Sequence, residues 1–223
     1  MDQKLKRTLL HFFFPNRCPV CGDVIGAMDS FCKNCEEKLN VYTGSFSIRG
    51  ASGTAAAFIY DKNISPAVIL LKNGICGNAA YALGRAVAGT VQNSSFEGLP
   101  DVIVAVPMHR TDRRRRGYNQ AFLIAKEASE VLGIPVAKSW IVKHKHTAQQ
   151  KHLSRLMRRK NLSGAFCAAH PELIRGKKIL LVDDVSTTGS TLENITALLL
   201  ENGAEAVYCA VACKTLPHKL REN

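Results

Sequence analysis

Ile179-Leu180-Leu181-Val182-Asp183-Asp184-Val185-Ser186-Thr187-Thr188-Gly189-Ser190-Thr191 is the stretch on which the fold of this 223-residue chain turns. Four apolar residues run without a break, as in a strand buried on both faces of a parallel sheet. Asp183 and Asp184 follow at the strand's C-terminal end, where open α/β sheets bind their ligands. A short loop of Ser, Thr and Gly comes next. Leu192, Ile195, Leu198 and Leu199 then recur at helical spacing, and Gly203 fits the stop.

The chemistry of this stretch has two halves. A loop of small residues opening a helix presents N–H groups, hydroxyls and the positive end of the helix dipole, which together favour a phosphate. Gly189 has no Cβ, so the backbone can approach the anion closely. Thr187, Thr188 and Thr191 can donate hydroxyl protons to it. Asp183 and Asp184 repel phosphate. As hydrogen-bond acceptors they suit vicinal sugar hydroxyls or a phosphate-bound Mg²⁺. A sugar 5-phosphate satisfies both halves. An unrelated strand–loop–helix with a capping Ser/Thr is the alternative.

The stretch resembles the phosphoribosyl pyrophosphate (PRPP) signature of type I phosphoribosyltransferases: four apolar residues, two acids, and a loop ending in Thr-Thr-Gly-x-Thr. That resemblance implies that Val185, Ser186, Thr187, Thr188, Gly189, Ser190 and Thr191 bind PRPP. Asp183 and Asp184 are then the catalytic pair, which holds the ribose hydroxyls and steadies positive charge developing at the sugar. Mg²⁺ accompanies the leaving pyrophosphate.

Upstream, Asp101-Val102-Ile103-Val104-Ala105-Val106-Pro107 reads as a second buried strand. It runs into a basic loop, residues 108–120, and then a helix with Ala121, Phe122, Ile124, Ala125, Ala128 and Leu132 on its apolar stripe. This order brings arginines to the same sheet edge as Asp183. Arg110 and Arg116 are the candidates for the pyrophosphate side, because guanidinium forks match phosphate oxygens. Lys72, near the end of an earlier helix capped by Ser65 with Pro66 at its first position, is a weaker one.

The net charge of +12 is concentrated: residues 109–160 hold fourteen Lys/Arg against three Asp/Glu. Such a segment argues for a polyanionic ligand, either single-stranded DNA or pyrophosphate groups, with a solvated basic surface as the alternative. Aromatics are sparse there, which argues against extensive base stacking.

Cys18-x-x-Cys21 and Cys32-x-x-Cys35 place four thiolates on two tight turns separated by ten residues. A coordinatively closed S₄ site of this kind holds a structural zinc that supplies folding energy to a small module. An iron–sulfur cluster and two disulfides remain alternatives. The other four cysteines, Cys76, Cys167, Cys209 and Cys213, lack metal spacing and read as buried small hydrophobes. Residues 40–52 read as a linker. The N-terminal Lys4 to Pro15 segment reads as a short amphipathic helix docked on the body, with a membrane-surface role as its alternative. Its apolar run is short for a signal peptide. No apolar stretch reaches membrane-spanning length, so no stable membrane insertion is expected and a cytoplasmic location is the default.

Taken together, the pieces look like the ComF family of competence-associated phosphoribosyltransferase-like proteins. They are the Cys₄ knuckle, Leu71-Lys72, Val106-Pro107, Arg116-Gly117-Tyr118-Asn119-Gln120, the block Thr147-x-x-Gln150-x-x-Leu153-Ser154 with Arg158-Arg159-x-Asn161, and the PRPP loop. The chain departs at Ala148, Met157 and Lys143–His146, where the family favours Pro, an acid and an Arg. The resemblance implies an α/β fold: a type I phosphoribosyltransferase parallel sheet with helices on both faces over residues 50–215, preceded by an N-terminal helix and Cys₄ zinc module over 1–45. It implies a mobile loop over residues 143–160 in which Thr147, Gln150 and Arg158 close over the site. It further implies a PRPP-binding protein that handles internalised single-stranded DNA during natural transformation, with competence-machinery proteins as partners. The alternative is an active phosphoribosyltransferase of nucleotide metabolism with no DNA role.

Overall fold

The computed structural model describes residues 3–73, 77–144 and 164–216. Four strands form a parallel sheet: β1 (Gly53–Ile59), β2 (Val102–Ala105), β5 (Lys178–Ser186) and β6 (Ala206–Lys214), in the order β1-β6-β5-β2. Two short strands, β3 (Ile141–Lys143) and β4 (Phe166–Ala168), pair antiparallel as a separate ribbon. Residues 145–163 between them, with Thr147, Gln150 and Arg158, lie outside the described residues, as does Cys76.

The uninterrupted apolar runs are buried on both faces, and strand parity sorts them. Leu180 and Val182 of β5 join Tyr208, Ala210 and Ala212 of β6 in one core layer. It packs against α3 (Ser65–Lys72), α4 (Gly77–Gln92) and α6 (Gln120–Leu132). Ile179 and Leu181 join Val207, Cys209 and Val211 in the other layer, under α8 (Ser190–Glu201), with Ile174 of the short α7 (Pro171–Ile174). The two faces hold helices, as expected for parallel strands.

The same parity carries beyond the core. Asp183 continues the row facing α8, and Asp184 continues the row facing α3. Two adjacent carboxylates are thereby divided between the two layers at the top of the sheet.

Three expectations change. The basic stretch after β2 is a helix, α5 (Arg110–Arg116), rather than a loop. His109 caps it by accepting from Thr111 N, Asp112 sits in its first turn, and Gly117 ends it at φ 85°. Four arginines in the last turn complement the negative end of the helix dipole. Residues 40–52 are not a free linker. Tyr42 N donates to Ala57 O at 3.0 Å and Ile59 N to Asn40 O at 2.8 Å, so the segment covers the open edge of β1. Ser65 is not a cap; Ile64 holds that position, and Asp61 Oδ1 accepts from Asn63 N and Ile64 N ahead of the helix.

The N-terminal helix α1 (Gln3–Phe13) docks on the body, but by its polar side. The Arg7 guanidinium lies 3.4 Å from the Tyr81 ring centroid and donates to Ala27 O and Asn78 Oδ1. Leu5, Leu9, Phe12, Phe13 and the following Phe14 face outward. Among the described residues no helix is long and apolar enough to cross a membrane.

Candidate phosphoribosyl site and zinc centre

A cavity of about 520 Å³ opens at the C-terminal end of β5 and β2. Asp183 and Asp184 line it from the sheet, Lys72 from the end of α3, Thr191 from the start of α8, and Lys143 and Phe166 from the β3–β4 ribbon. The β2–α6 crossover supplies the remaining wall, including Arg115, Arg116, Asn119 and Gln120.

Local chemistry fixes that wall. Asn119 caps α6 by accepting from Ala121 N at 3.1 Å, and its amide donates back to Val106 O at 2.9 Å. The helix start is thus clamped to the end of β2. Tyr118 Oη donates to Leu71 O at 2.6 Å, tying the same turn to the last turn of α3, where Lys72 stands.

The carboxylate pair is tightly constrained. Asp183 Oδ1 accepts from Asp184 N at 2.9 Å, and Asp184 Oδ1 accepts from Val185 N at 2.7 Å. Lys72 Nζ approaches Asp184 Oδ2 at 3.3 Å. Burial, and then the neighbouring Asp184 charge, push Asp183 well above the ordinary carboxylate range, with Lys72 opposing. Burial also lowers the Lys143 ammonium, while Asp112 and Asp183 oppose that shift. The floor is acidic, and the wall carries Lys72, Arg115, Arg116 and Lys143 with one acid, Asp112, which lies 3.5 Å from the Arg115 guanidinium.

The loop after β5 is held from behind. Lys214 Nζ donates to Ser186 O at 3.4 Å and Thr187 O at 2.5 Å. Gly189 takes φ 80°, and a Cβ built there would meet Ile48 Cδ1 at 2.6 Å. The first helical bond of α8 runs from Glu193 N to Gly189 O, so the N–H groups of Thr191 and Leu192 have no intrahelical acceptor. Thr188 and Ser190 pair through their hydroxyls at 2.8 Å.

Of the residues singled out in the sequence, Lys72, Arg116, Asp183, Asp184 and Thr191 share the cavity wall. Val185 at the end of β5, Thr187, Thr188 and Gly189 of the adjoining loop and Ser190 at the start of α8 do not line that cavity, and the Ser186 hydroxyl is buried without a partner among the described residues. Arg110 is exposed at the start of α5 and away from the wall, whereas Arg115, one turn and a half further on, reaches it. Sequence reasoning missed Arg115, Gln120 and Lys143. The Arg-Gly-Tyr-Asn-Gln block contained the signal for Gln120; Lys143 opens the stretch where the ComF pattern favours an Arg, but nothing local showed that it reaches the cavity.

The second centre follows α1 in the chain. The Sγ atoms of Cys18, Cys21, Cys32 and Cys35 all lie within 4.8 Å of one another. The 3.6 Å between Cys21 and Cys32 Sγ is too long for a disulfide and suits two ligands of one tetrahedral ion. The centre holds a structural zinc. Cys18 and Cys35 join the same core layer as α3 and α4, and Phe31 of the module meets Phe58 of β1 edge to face at 5.9 Å. Of the other cysteines, Cys209 and Cys213 are buried as expected, and Cys167 only partly so.

Comparison with known proteins follows this division. Residues 78–222 match the family model of the phosphoribosyl transferase domain, and residues 9–51 match that of the double zinc ribbon domain. Competence protein F of Haemophilus influenzae is 42% identical over 223 residues, covering 87% of this chain and 95% of that protein. The DNA utilization protein YhgH of Salmonella typhi is 34% identical over 202 residues, covering 89% of this chain and 84% of that protein. Among solved structures, a PRPP amidotransferase from B. subtilis superposes with a TM-score of 0.41 at 22% identity, over 59% of this chain and 25% of that one.

Proposed function

The chain belongs to the ComF family of phosphoribosyltransferase-domain proteins, and from that premise we propose that it binds PRPP, or another ribose 5-phosphate ligand, and handles internalised single-stranded DNA in the cytoplasm during natural transformation. One observation carries the ligand: the Asp183/Asp184 pair, the Thr191 end of the helix-opening loop, and the cations Lys72, Arg115, Arg116 and Lys143 meet around one cavity.

Each part has a task. The loop and the start of α8 hold the 5-phosphate through unpaired N–H groups and hydroxyls. The carboxylates accept from the ribose hydroxyls and face the positive charge that develops at C1 if the pyrophosphate leaves. The basic wall takes the diphosphate. Asp183 and Asp184, with the oxygens of PRPP itself, are a hard donor set that fits Mg²⁺, and the crowding that pushes Asp183 upward is relieved by such a charge. When bound, the ion neutralises the diphosphate.

The DNA half rests on the relatives' names and on the exposed face of α5. Arg113 and Arg114 are exposed and do not line the cavity. They are free of the phosphoribosyl ligand and suited to a nucleic-acid backbone.

The test is a calorimetric titration of PRPP with Mg²⁺ into the intact protein and into the Asp183→Asn/Asp184→Asn variant. Binding that is lost in the variant supports the reading; an intact protein that takes up no PRPP overturns it. Single-stranded DNA binding, measured beside it, separates this reading from a transferase of nucleotide metabolism, which would bind PRPP and ignore DNA.

A further inference from the structure

α1 is seated on the body by its polar side. Arg7 donates to Ala27 O and Asn78 Oδ1 and lies over the Tyr81 ring. His11 Nδ1 accepts from Asn16 N, and Asn16 Nδ2 donates to Ala27 O at 2.7 Å. These bonds fix the rotation of the helix. Its other side is exposed: Phe12, Phe13 and the following Phe14 are 83%, 74% and 75% exposed, and Leu5, Leu9 and Leu10 are 53%, 53% and 49% exposed. At about 100° per residue, the apolar positions within the helix spread over roughly 160° of its circumference. An apolar surface of that breadth marks a contact with a protein or a membrane. The helix itself needs one. Its 11 residues are too few for a helix to persist in water by itself, and none of its described apolar side chains is buried on the body.

We propose that α1 is a membrane-surface anchor: it lies in the interface of a bilayer rich in anionic headgroups, with its leucines and phenylalanines among the upper acyl chains and the body of the protein held on its polar side. The inference is independent of the phosphoribosyl cavity and of the ligand that the cavity takes.

Charge and side-chain type choose the occupant. Residues 3–17 contain Lys4, Lys6, Arg7 and Arg17 and no Asp or Glu. The first turn of α1 has no acid, although the positive end of a helix dipole favours one. Anionic headgroups supply that missing negative charge from outside. A second copy of the chain would instead bring together two bodies of net charge +12, each with the same cationic segment. A nucleic-acid strand would use the phenyl rings and leave the three leucines in water, because bases stack on flat rings. Leucine and phenylalanine on one side of a helix, with cations and no acids beside them, is the composition of a helix that lies at the headgroup boundary. Each Lys or Arg near an anionic surface adds to the attraction. Such a seat is not a span, which the length of α1 does not allow.

The test is co-sedimentation of the full chain with vesicles of phosphatidylcholine alone and of phosphatidylcholine mixed with phosphatidylglycerol. Two double variants, Leu9→Ser/Phe13→Ser and Leu5→Ser/Phe12→Ser, are run beside it, with Leu99→Ser, an exposed leucine of the turn before β2, as the control. The intact protein should bind the anionic vesicles about tenfold or more tightly than the neutral ones, and less tightly as salt rises. Each double variant should lose about tenfold or more of that binding, while Leu99→Ser keeps it. All the substituted side chains are exposed, so melting temperatures should stay close to the parent's. If a variant melts early, the comparison of the two lipid compositions, which needs no variant, still decides. An intact protein that stays free of anionic vesicles overturns the proposal. So does binding that both double variants retain, which would come from the basic body rather than from α1. A dimer that the double variants dissociate, or an oligonucleotide affinity that they reduce, in a protein that ignores vesicles would assign the face to a second copy or to bases and likewise overturn it.

Discussion

Lys72 Nζ lies 3.3 Å from Asp184 Oδ2, so the lysine expected to meet pyrophosphate is already engaged by the acid of the ribose side. The pair joins the end of α3 to the end of β5 across the cavity. Its side chains are 36% and 17% exposed, so its direct worth to stability is small, on the order of 1 kcal/mol or less. Its larger effect is on the charge of the acid pair, since Lys72 is the cation that opposes the upward shift of Asp183. Lys72→Met should weaken PRPP binding by about 5- to 10-fold, the equivalent of roughly 1 kcal/mol. Tyr118→Phe, which frees the Leu71 carbonyl just before Lys72, should give a smaller loss in the same direction. Calorimetry on both variants checks the order; a larger effect at Tyr118 would contradict it.

The raised Asp183 sets a pH dependence whose sign can be worked out. Its folded pKa lies well above the ordinary carboxylate value, so the folded state holds this proton more tightly than the unfolded chain. The stabilisation from that proton is complete below the unfolded pKa of about 4 and is lost as pH rises through the folded value. Asp183→Asn keeps the acceptor for Asp184 N and removes the charge. It should melt higher than the parent at pH 7.5, by roughly 2–4 °C for each kcal/mol relieved, and the gap should close toward pH 4. The same substitution should abolish PRPP binding. Melting curves across that range, in the absence of ligand, test the sign; a variant less stable at neutral pH would reverse it.

How much of this was legible depends on how local each signal is. The run Ile179–Val182, the acid pair and the loop stand in one stretch, and each residue's role follows from strand parity and the helix that comes next. The four cysteines are equally local. Lys143 is not: it enters the cavity because a separate two-stranded ribbon lies over the sheet edge, and that placement is set by tertiary packing of Ile141 and Phe166. The α5 helix was hidden because it buries no residue and so shows no apolar period; His109, Asp112 and Gly117 were its only marks. The inverted docking of α1 was hidden for a related reason. Arg7 finds three partners on the body, and amphipathic pattern alone does not say which face meets them.

The exposed arginines of α5 predict a salt signature. Each phosphate contact on single-stranded DNA contributes roughly 0.7 to the slope of log K against log salt. Arg113→Ala/Arg114→Ala should therefore flatten that slope by about 1.4 while leaving PRPP affinity unchanged. Fluorescence anisotropy of a labelled oligonucleotide from 50 to 200 mM salt, roughly the range over which such contacts are lost, reads the slope. An unchanged slope would remove these two arginines from the DNA path.

Zinc removal should be felt beyond the cysteines. Cys18 and Cys35 sit in the core layer that continues through Phe31 and Phe58 into α3 and α4. A strong chelator, or Cys32→Ser, should lower the melting temperature of the whole chain and release close to one zinc per molecule. Metal analysis of the eluted ion distinguishes zinc from iron. A chelator that strips the ion without moving the melting curve would mean that the module does not share its stability with the sheet.

The loop at Gly189 offers a test that separates backbone strain from crowding. A Cβ at this position faces two obstacles: φ of 80°, and Ile48 Cδ1 at 2.6 Å. The first is intrinsic to any L side chain other than glycine, and left-handed backbone costs about 1–3 kcal/mol there. The second is the tip of a flexible side chain, which can turn aside. Gly189→Ala should therefore destabilise the protein by about 1–2 kcal/mol and weaken PRPP binding, because the loop relaxes away from the phosphate. Ile48→Val deletes the Cδ1 atom itself, at about 0.5–1.5 kcal/mol for a buried methyl. If strain dominates, the double variant should show the two losses simply added, within about 0.5 kcal/mol. If crowding dominates, Ile48→Val should restore both stability and binding to Gly189→Ala. Denaturant melts of the four proteins in this cycle decide between them, and the positive φ argues for addition.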